Sequence, residues 1–413
     1  MRFAKSVLAL AVCFTVCLIL LQRCGKTNKR NIPSAVNSSQ KKSDLPNPII
    51  NVYVENSGSM DGYVKGVTEF EQIVYNYLSD IKISNLSDTL NLNYINSKII
   101  PQGSDISDFI EKLEPTTFKL KGGNRQTSDI VVVLKSILSE MKENSVAVFV
   151  SDCIFSPGKR RNATQYLVNQ QPGIKVAFAD YLNQHPDFSV IAYRCLSHFS
   201  GTYYDCNDAR STIDAKRPFY IWVMGKKDYL MKMRSLEKNF RGEGIQNTFL
   251  ASAGGAEIPY ALKMGAGKHK LDKENPKTTL TKGKLGRDGK FSFAVNMDCS
   301  NLLLDDSYIL DNKHYEMSNK DFEVSVSKAK ATTSKYTHTL KFTSDRIVSC
   351  QLLIALKMQV PAWAEEYNDD NGVGINSDTM DKTFGIKYLI GGVYDAFSFN
   401  TDSYTTIKLN INN

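Results

Sequence analysis

Histidine is scarce in this chain of 413 residues, which holds five. His185, His198, His269, His314 and His338 never fall at the close spacing that brings two imidazoles onto one ion, which excludes a histidine-built metal centre. No C-x-x-C pair is present to hold zinc. Also missing are a glycine-rich phosphate loop, a dinucleotide fingerprint and a Gly-x-Ser-x-Gly elbow. These absences remove the usual carriers of hydrolytic, nucleotide-dependent and zinc chemistry.

A basic surface is missing too, once the net charge of +8 is located. Residues 1–47 carry eight lysines and arginines against Asp44 alone, which accounts for nearly all of the excess. The remainder is close to neutral, so nucleic acid is excluded as a partner.

The N-terminus has its own logic. Arg2 and Lys5 precede an apolar run over 6–21, and Arg23 and Lys26 follow it. This is the pattern of a secretory signal, with a run on the short side for a spanning helix. Cys24, three residues after Leu21, makes the ending resemble a bacterial lipoprotein signal, from which Arg23 departs because that family has a small residue before its cysteine. The expectation is that 1–24 is a signal peptide or lipoprotein signal and anchor, with Cys24 lipidated; an uncleaved helix and ordinary cleavage are the alternatives. Residues 25–47, rich in Lys, Asn, Ser and Pro, read as a flexible tether. Each outcome places the body outside the cytoplasm, in the cell envelope, as a periplasmic or outer-membrane protein held to a membrane. In that compartment Cys195 could pair with Cys206 across a hairpin, and Cys299 with Cys350.

The length favours two domains. Over 48–240, strands alternate with amphipathic helices. A strand at 49–55 precedes a helix over 67–81, with Phe70, Ile73, Val74, Tyr77, Leu78 and Ile81 on one face. A half-buried strand at 89–96 and a short helix at 104–113 follow, then a polar loop at 122–129 entering a helix over 130–141, with Thr127 or Ser128 as its N-cap. The apolar run 145–150 reads as a central strand. A helical stretch at 163–182 is divided by Pro172-Gly173; strands at 188–195 and 217–225 precede a helix over 228–239. This alternation predicts an α/β domain, doubly wound around a mostly parallel sheet. Residues 245–413 carry strand-like runs, including 248–251, 348–360 and 384–393, and predict a second, all-β sandwich-like domain.

In an open α/β sheet ligands gather beyond the carboxyl ends of the strands. Two segments reach that position. Glu55-Asn56-Ser57-Gly58-Ser59-Met60 follows the first strand, and Ser151-Asp152 follows the central one. A carboxylate with two hydroxyls is a set of hard oxygen donors, suited to Mg²⁺, Mn²⁺ or Ca²⁺. The first motif resembles the Asp-x-Ser-Gly-Ser-Met signature of von Willebrand factor A domains. That resemblance implies a metal-ion-dependent adhesion site built from Glu55, Ser57, Ser59, Thr127 from the glycine-rich loop, and Asp152. It implies further that the ion binds a protein ligand through an acidic residue of the partner. Glu55 departs from the family's aspartate by one methylene. Asp61 reads as a turn residue. The expected function is adhesion or scaffolding. The alternatives are a metal-dependent hydrolase using the same carboxylates, with Cys153 weighed as a nucleophile, and a structural envelope protein with a degenerate site.

Overall fold

The structure, a computed structural model, describes residues 46–126, 129–158, 162–236, 244–330 and 335–413. The leader, Cys24, most of the tether and Thr127 lie outside the described residues. Among the described residues no helix is long and apolar enough to cross a membrane.

Seven strands form the main sheet: β1 (Ile49–Glu55), β2 (Thr89–Ile95), β3 (Ile99–Gly103), β4 (Ser145–Ser151), β5 (Phe188–Tyr204), β6 (Arg210–Lys226) and β7 (Ile245–Ser252). Their spatial order is β3-β2-β1-β4-β6-β5-β7. β1 runs parallel to β2 and to β4, whereas every other pairing is antiparallel. The sheet is therefore mixed, and the expectation of a mostly parallel sheet is corrected. The cause lies in residues 196–216, where β5 and β6 extend into one long hairpin closed at Asp205–Ala209 instead of returning through a helix. A tight turn between strands enforces antiparallel pairing.

Helices cover both faces. α1 (Glu69–Ile83) buries the six predicted apolar residues, and Thr68 caps it by accepting from the Glu71 amide. Its Phe70 packs edge-on to Phe219 of β6, 4.9 Å between centroids. α2 (Ile106–Glu111) and α3 (Pro115–Leu120) are short. On the opposite face α4 (Ile130–Glu140) and α5 (Ala163–Gln184) share a core with Tyr53, Phe149 and Trp222. Asp129, rather than Thr127 or Ser128, caps α4, accepting from the amides of Val131 and Val132. Pro172 does not divide α5, which continues through it. The packing of α5 outweighs the missing amide. α6 (Lys227–Arg234) follows β6.

Of residues 384–393, expected as a strand, only Phe384 is in one, the two-residue strand Thr383–Phe384; residues 386–393 belong instead to a helix, α7 (Ile386–Phe397). Ile386, Leu389, Ile390, Val393 and Phe397 recur at helical spacing, and Gly385 enters at φ +84°. α7 lies against α5 at close range, since a Cβ on Gly392 would sit 2.7 Å from that of Ile174. A segment late in the chain thus completes the core of the first sheet.

Most of the remaining described strands form a five-stranded and a four-stranded sheet, mostly antiparallel, while Asn368–Asp369 and Thr383–Phe384 pair as a separate two-stranded parallel sheet. They share one core containing Phe291, Phe293, Leu340, Phe342, Leu352, Ile354, Leu409 and Ile411. β7, expected to open the later domain, is instead the edge strand of the first sheet.

All five described cysteines are free, which corrects both pairings. Cys195 lies within β5 and Cys206 beyond its end. Eleven residues of extended chain separate them by roughly 30 Å or more, far past disulfide reach.

Candidate functional site

The site begins with register. Val54 of β1 stands opposite Val150 of β4, so Glu55 and Ser151 leave the parallel ladder side by side. Glu55 is 3% exposed. The Ser151 hydroxyl donates to Glu55 Oε2 and accepts from the Cys153 amide at 2.8 Å. Ser151 thus ties the first strand's carboxylate to the end of the fourth.

Beyond Glu55 the chain enters a 3-10 turn over Gly58–Gly62. The Ser57 and Ser59 hydroxyls are 3.0 Å apart, in contact with each other. Several groups hold this turn. Asn56 donates its amide to Ile95 O at 3.0 Å, and its Oδ1 accepts from Asn96 Nδ2 at 2.9 Å. Arg125, from the glycine-bearing loop, donates through Nε to Asn56 O at 2.7 Å and through Nη2 to Ser57 O at 3.2 Å. It also pairs with Asp61. Gly58 returns a hydrogen bond to Arg125 O at 3.0 Å. Asp61 is thus a partner of Arg125, and burial pushes its carboxyl pKa up against the pull of that guanidinium.

Asp152 is 2% exposed. Its Oδ1 accepts from the Ile154 amide at 3.2 Å, and its Oδ2 is buried with no hydrogen-bond partner. Desolvation raises its pKa; the Ser59 hydroxyl, the Ile154 amide and the Arg217 guanidinium pull the other way. Ser59 is therefore near enough to stabilise the carboxylate without satisfying Oδ2. After Asp152 the chain turns sharply through Cys153, at φ +54°, a region costly for a residue with a Cβ. Trp222 Nε1 donates to Cys153 Sγ at 3.3 Å, and burial drives that thiol well above its usual range. A thiol held neutral in this way is no nucleophile, which removes the Cys153 alternative.

Arg217, 2% exposed, backs the site. It donates to Thr379 O at 3.2 Å and Met380 O at 2.7 Å, with the Tyr203 ring 4.9 Å away. Arg194 reaches Asp381 O at 2.7 Å and stacks on Tyr367 at 3.7 Å. Two buried cations from the hairpin thus fasten one turn of the C-terminal part beside the strand ends.

Of the expected ligands, the structure gathers Ser57, Ser59 and Asp152 and places Glu55 at the adjoining strand end. Among the described residues no group of three or more His, Cys, Asp or Glu could hold a metal. The donor set contains only two carboxylates, the rest being hydroxyls. Two carboxylates match the charge of one divalent ion, and an unpartnered buried carboxylate oxygen is what a bound cation would satisfy. The residues present therefore fit such an ion. Ser151, Arg125 and Arg217 were not identified as site residues from the sequence. The position of Ser151 beside Asp152 at a strand end was the one signal available for it; the two arginines gave none.

No protein-family model, curated protein or solved structure matches this chain.

Proposed function

We propose that this protein is an exported, membrane-tethered binding module, which engages an acidic residue of a partner protein through a divalent ion held at Glu55, Ser57, Ser59, Thr127 and Asp152. The observation that carries the reading is the buried, unpartnered Asp152 Oδ2 beside the paired hydroxyls of Ser57 and Ser59. The ion would supply a Lewis-acidic point for a partner's carboxylate. Arg125 and Ser151 fix the donors from behind. Ser59 is the least buried of these described donors, so the partner approaches past it.

The fold reading goes with it. The three neighbouring strands β2-β1-β4, parallel and covered by helices on both faces, support a von Willebrand A-like core on that half of the sheet. The two later sheets around one core support a sandwich-like C-terminal part. Lipid on Cys24 would tether the body to the envelope membrane.

Calorimetric titration of the intact chain with Mg²⁺ and Mn²⁺ tests this. Binding that Asp152→Asn abolishes, together with chelator-sensitive capture of an envelope protein, is the expected result. An absence of heat with both ions overturns the reading and leaves a structural envelope protein. No observation favours the hydrolase.

A further inference from the structure

Toward the amino ends of β1 and β4, away from the strand-end carboxylates, the sheet face beside α4 holds a cavity of about 450 Å³. We propose that this cavity is a saccharide-binding cleft, which takes a short neutral glycan through the amides of Asn51, Asn91 and Asn93 and the hydroxyl of Tyr53. It is independent of the ion reading. The cavity reaches Ile49 and Ser145, the first residues of β1 and β4, whereas Glu55 and Ser151 are their last. Its volume lies within the range of ordinary small-ligand pockets.

Asparagine is a poor strand residue, yet three of them share one face of two neighbouring strands here. Asn51 stands opposite Asn91, and Tyr53 opposite Asn93, in the parallel register of β1 and β2, so all four line the cavity side by side. The sheet uses only part of each amide. Asn51 Oδ1 accepts from Asn91 Nδ2 at 2.9 Å, and Asn93 Nδ2 donates to Val52 O at 3.1 Å and Asn91 O at 3.4 Å. Asn51 Nδ2, Asn91 Oδ1, Asn93 Oδ1 and the Tyr53 hydroxyl have no hydrogen-bond partner among the described residues, and none of these atoms is sealed from solvent. They are open to whatever enters. Burial and the Glu140 carboxylate push the Tyr53 pKa up to about 12, so its hydroxyl keeps its proton.

The chemistry of this set selects the ligand. Donors and acceptors alternate at short range, which suits neighbouring hydroxyls, each able to give and to take a hydrogen bond. Ile99 and Pro101, on the edge strand β3, add apolar surface for the C–H face of a sugar ring. A hydrocarbon would leave the open amide atoms and the hydroxyl unpaired against it, which is costly. An ionic ligand meets no net charge, because the lining holds only Glu140 and Lys142 as charged residues, opposite in sign and both exposed. A neutral polyhydroxylated ligand satisfies each of these conditions.

The experiment incubates the purified chain, with EDTA present, on a printed array of neutral oligosaccharides built from glucose, galactose, mannose and N-acetylglucosamine, together with sialylated and sulfated counterparts. The wild type should be retained on neutral glycans, and calorimetric titration with the best-retained one gives its affinity. Asn51→Leu and Asn91→Leu, which keep the size and remove the polar atoms, should each weaken that affinity by about tenfold. Tyr53→Phe, which removes the hydroxyl alone and keeps the buried ring, should weaken it by about threefold to tenfold. Circular dichroism checks that each variant is folded, and Tyr53→Phe carries the test if neither leucine variant folds. No retention on any glycan, retention on the anionic glycans alone, or an affinity that the folded variants leave unchanged overturns the inference. Because the chelator removes any divalent ion, each of these results leaves the reading of the strand-end site untouched.

Discussion

Replacing Asp152 by asparagine should make the ion-free protein more stable at neutral pH and insensitive to Mg²⁺. In the ion-free state Asp152 is a buried carboxylate whose Oδ2 has no partner, and burial raises its pKa above the ordinary value. The folded protein then holds this proton more tightly than the unfolded chain does. The stability linked to Asp152 is thus fully present below the ordinary carboxylate range and is lost as pH rises through the raised value. Asparagine has no proton to lose, so Asp152→Asn avoids that loss. An ion reverses the order. At 100 times its dissociation constant Mg²⁺ would stabilise the wild type by about 2.7 kcal/mol and the variant not at all. For a unit spanning Asn47–Asn413, 1 kcal/mol corresponds to about 1.3 °C, giving a rise of about 3–4 °C. Differential scanning calorimetry at pH 5 and 7.5, with chelator or with Mg²⁺, measures all four terms. The reasoning is refuted if the ion-free variant melts below the wild type at pH 7.5, or if Mg²⁺ raises both equally.

Arg125→Ala removes donors to Asn56 O and Ser57 O and leaves Asp61 partly buried without its guanidinium, so denaturant melts should show a loss of about 2–4 kcal/mol. Gly62→Ala would bring a Cβ to 2.4 Å from the Phe199 ring; it should cost about 1–3 kcal/mol and weaken ion binding by shifting the turn that carries Ser59, as melts and titrations of the same samples would show. In a timed iodoacetamide reaction of the native protein, half-buried Cys350 should label first of the five described cysteines. Buried Cys153, Cys195, Cys206 and Cys299 should label only on unfolding, since burial pushes their thiols up, to about 12 for Cys299.

Much of the first half was legible because its signals are local. The apolar spacing of Phe70, Ile73, Val74, Tyr77, Leu78 and Ile81 is a helix face however the chain folds. The unbroken apolar run before Ser151 marks a strand covered on both sides. The later errors share one cause, contact between residues distant in sequence. Residues 386–393 suit a strand or a buried helix equally by composition, and packing on α5 decided for the helix. Pro172 is a helix breaker locally, yet it remains within α5.

The sequence by itself determined which chemistry is possible at the strand ends: two carboxylates and neighbouring hydroxyls, with no imidazole or thiolate cluster to compete. It also located the excess positive charge in residues 1–47. Only the tertiary structure decided how those oxygens are used. The Ser151 hydroxyl on Glu55, the Arg125 clasp on the turn and the unsatisfied Oδ2 of Asp152 each join residues 64 or more positions apart or depend on burial from all sides. Side-chain type is written residue by residue, whereas desolvation and partner choice belong to the packed whole.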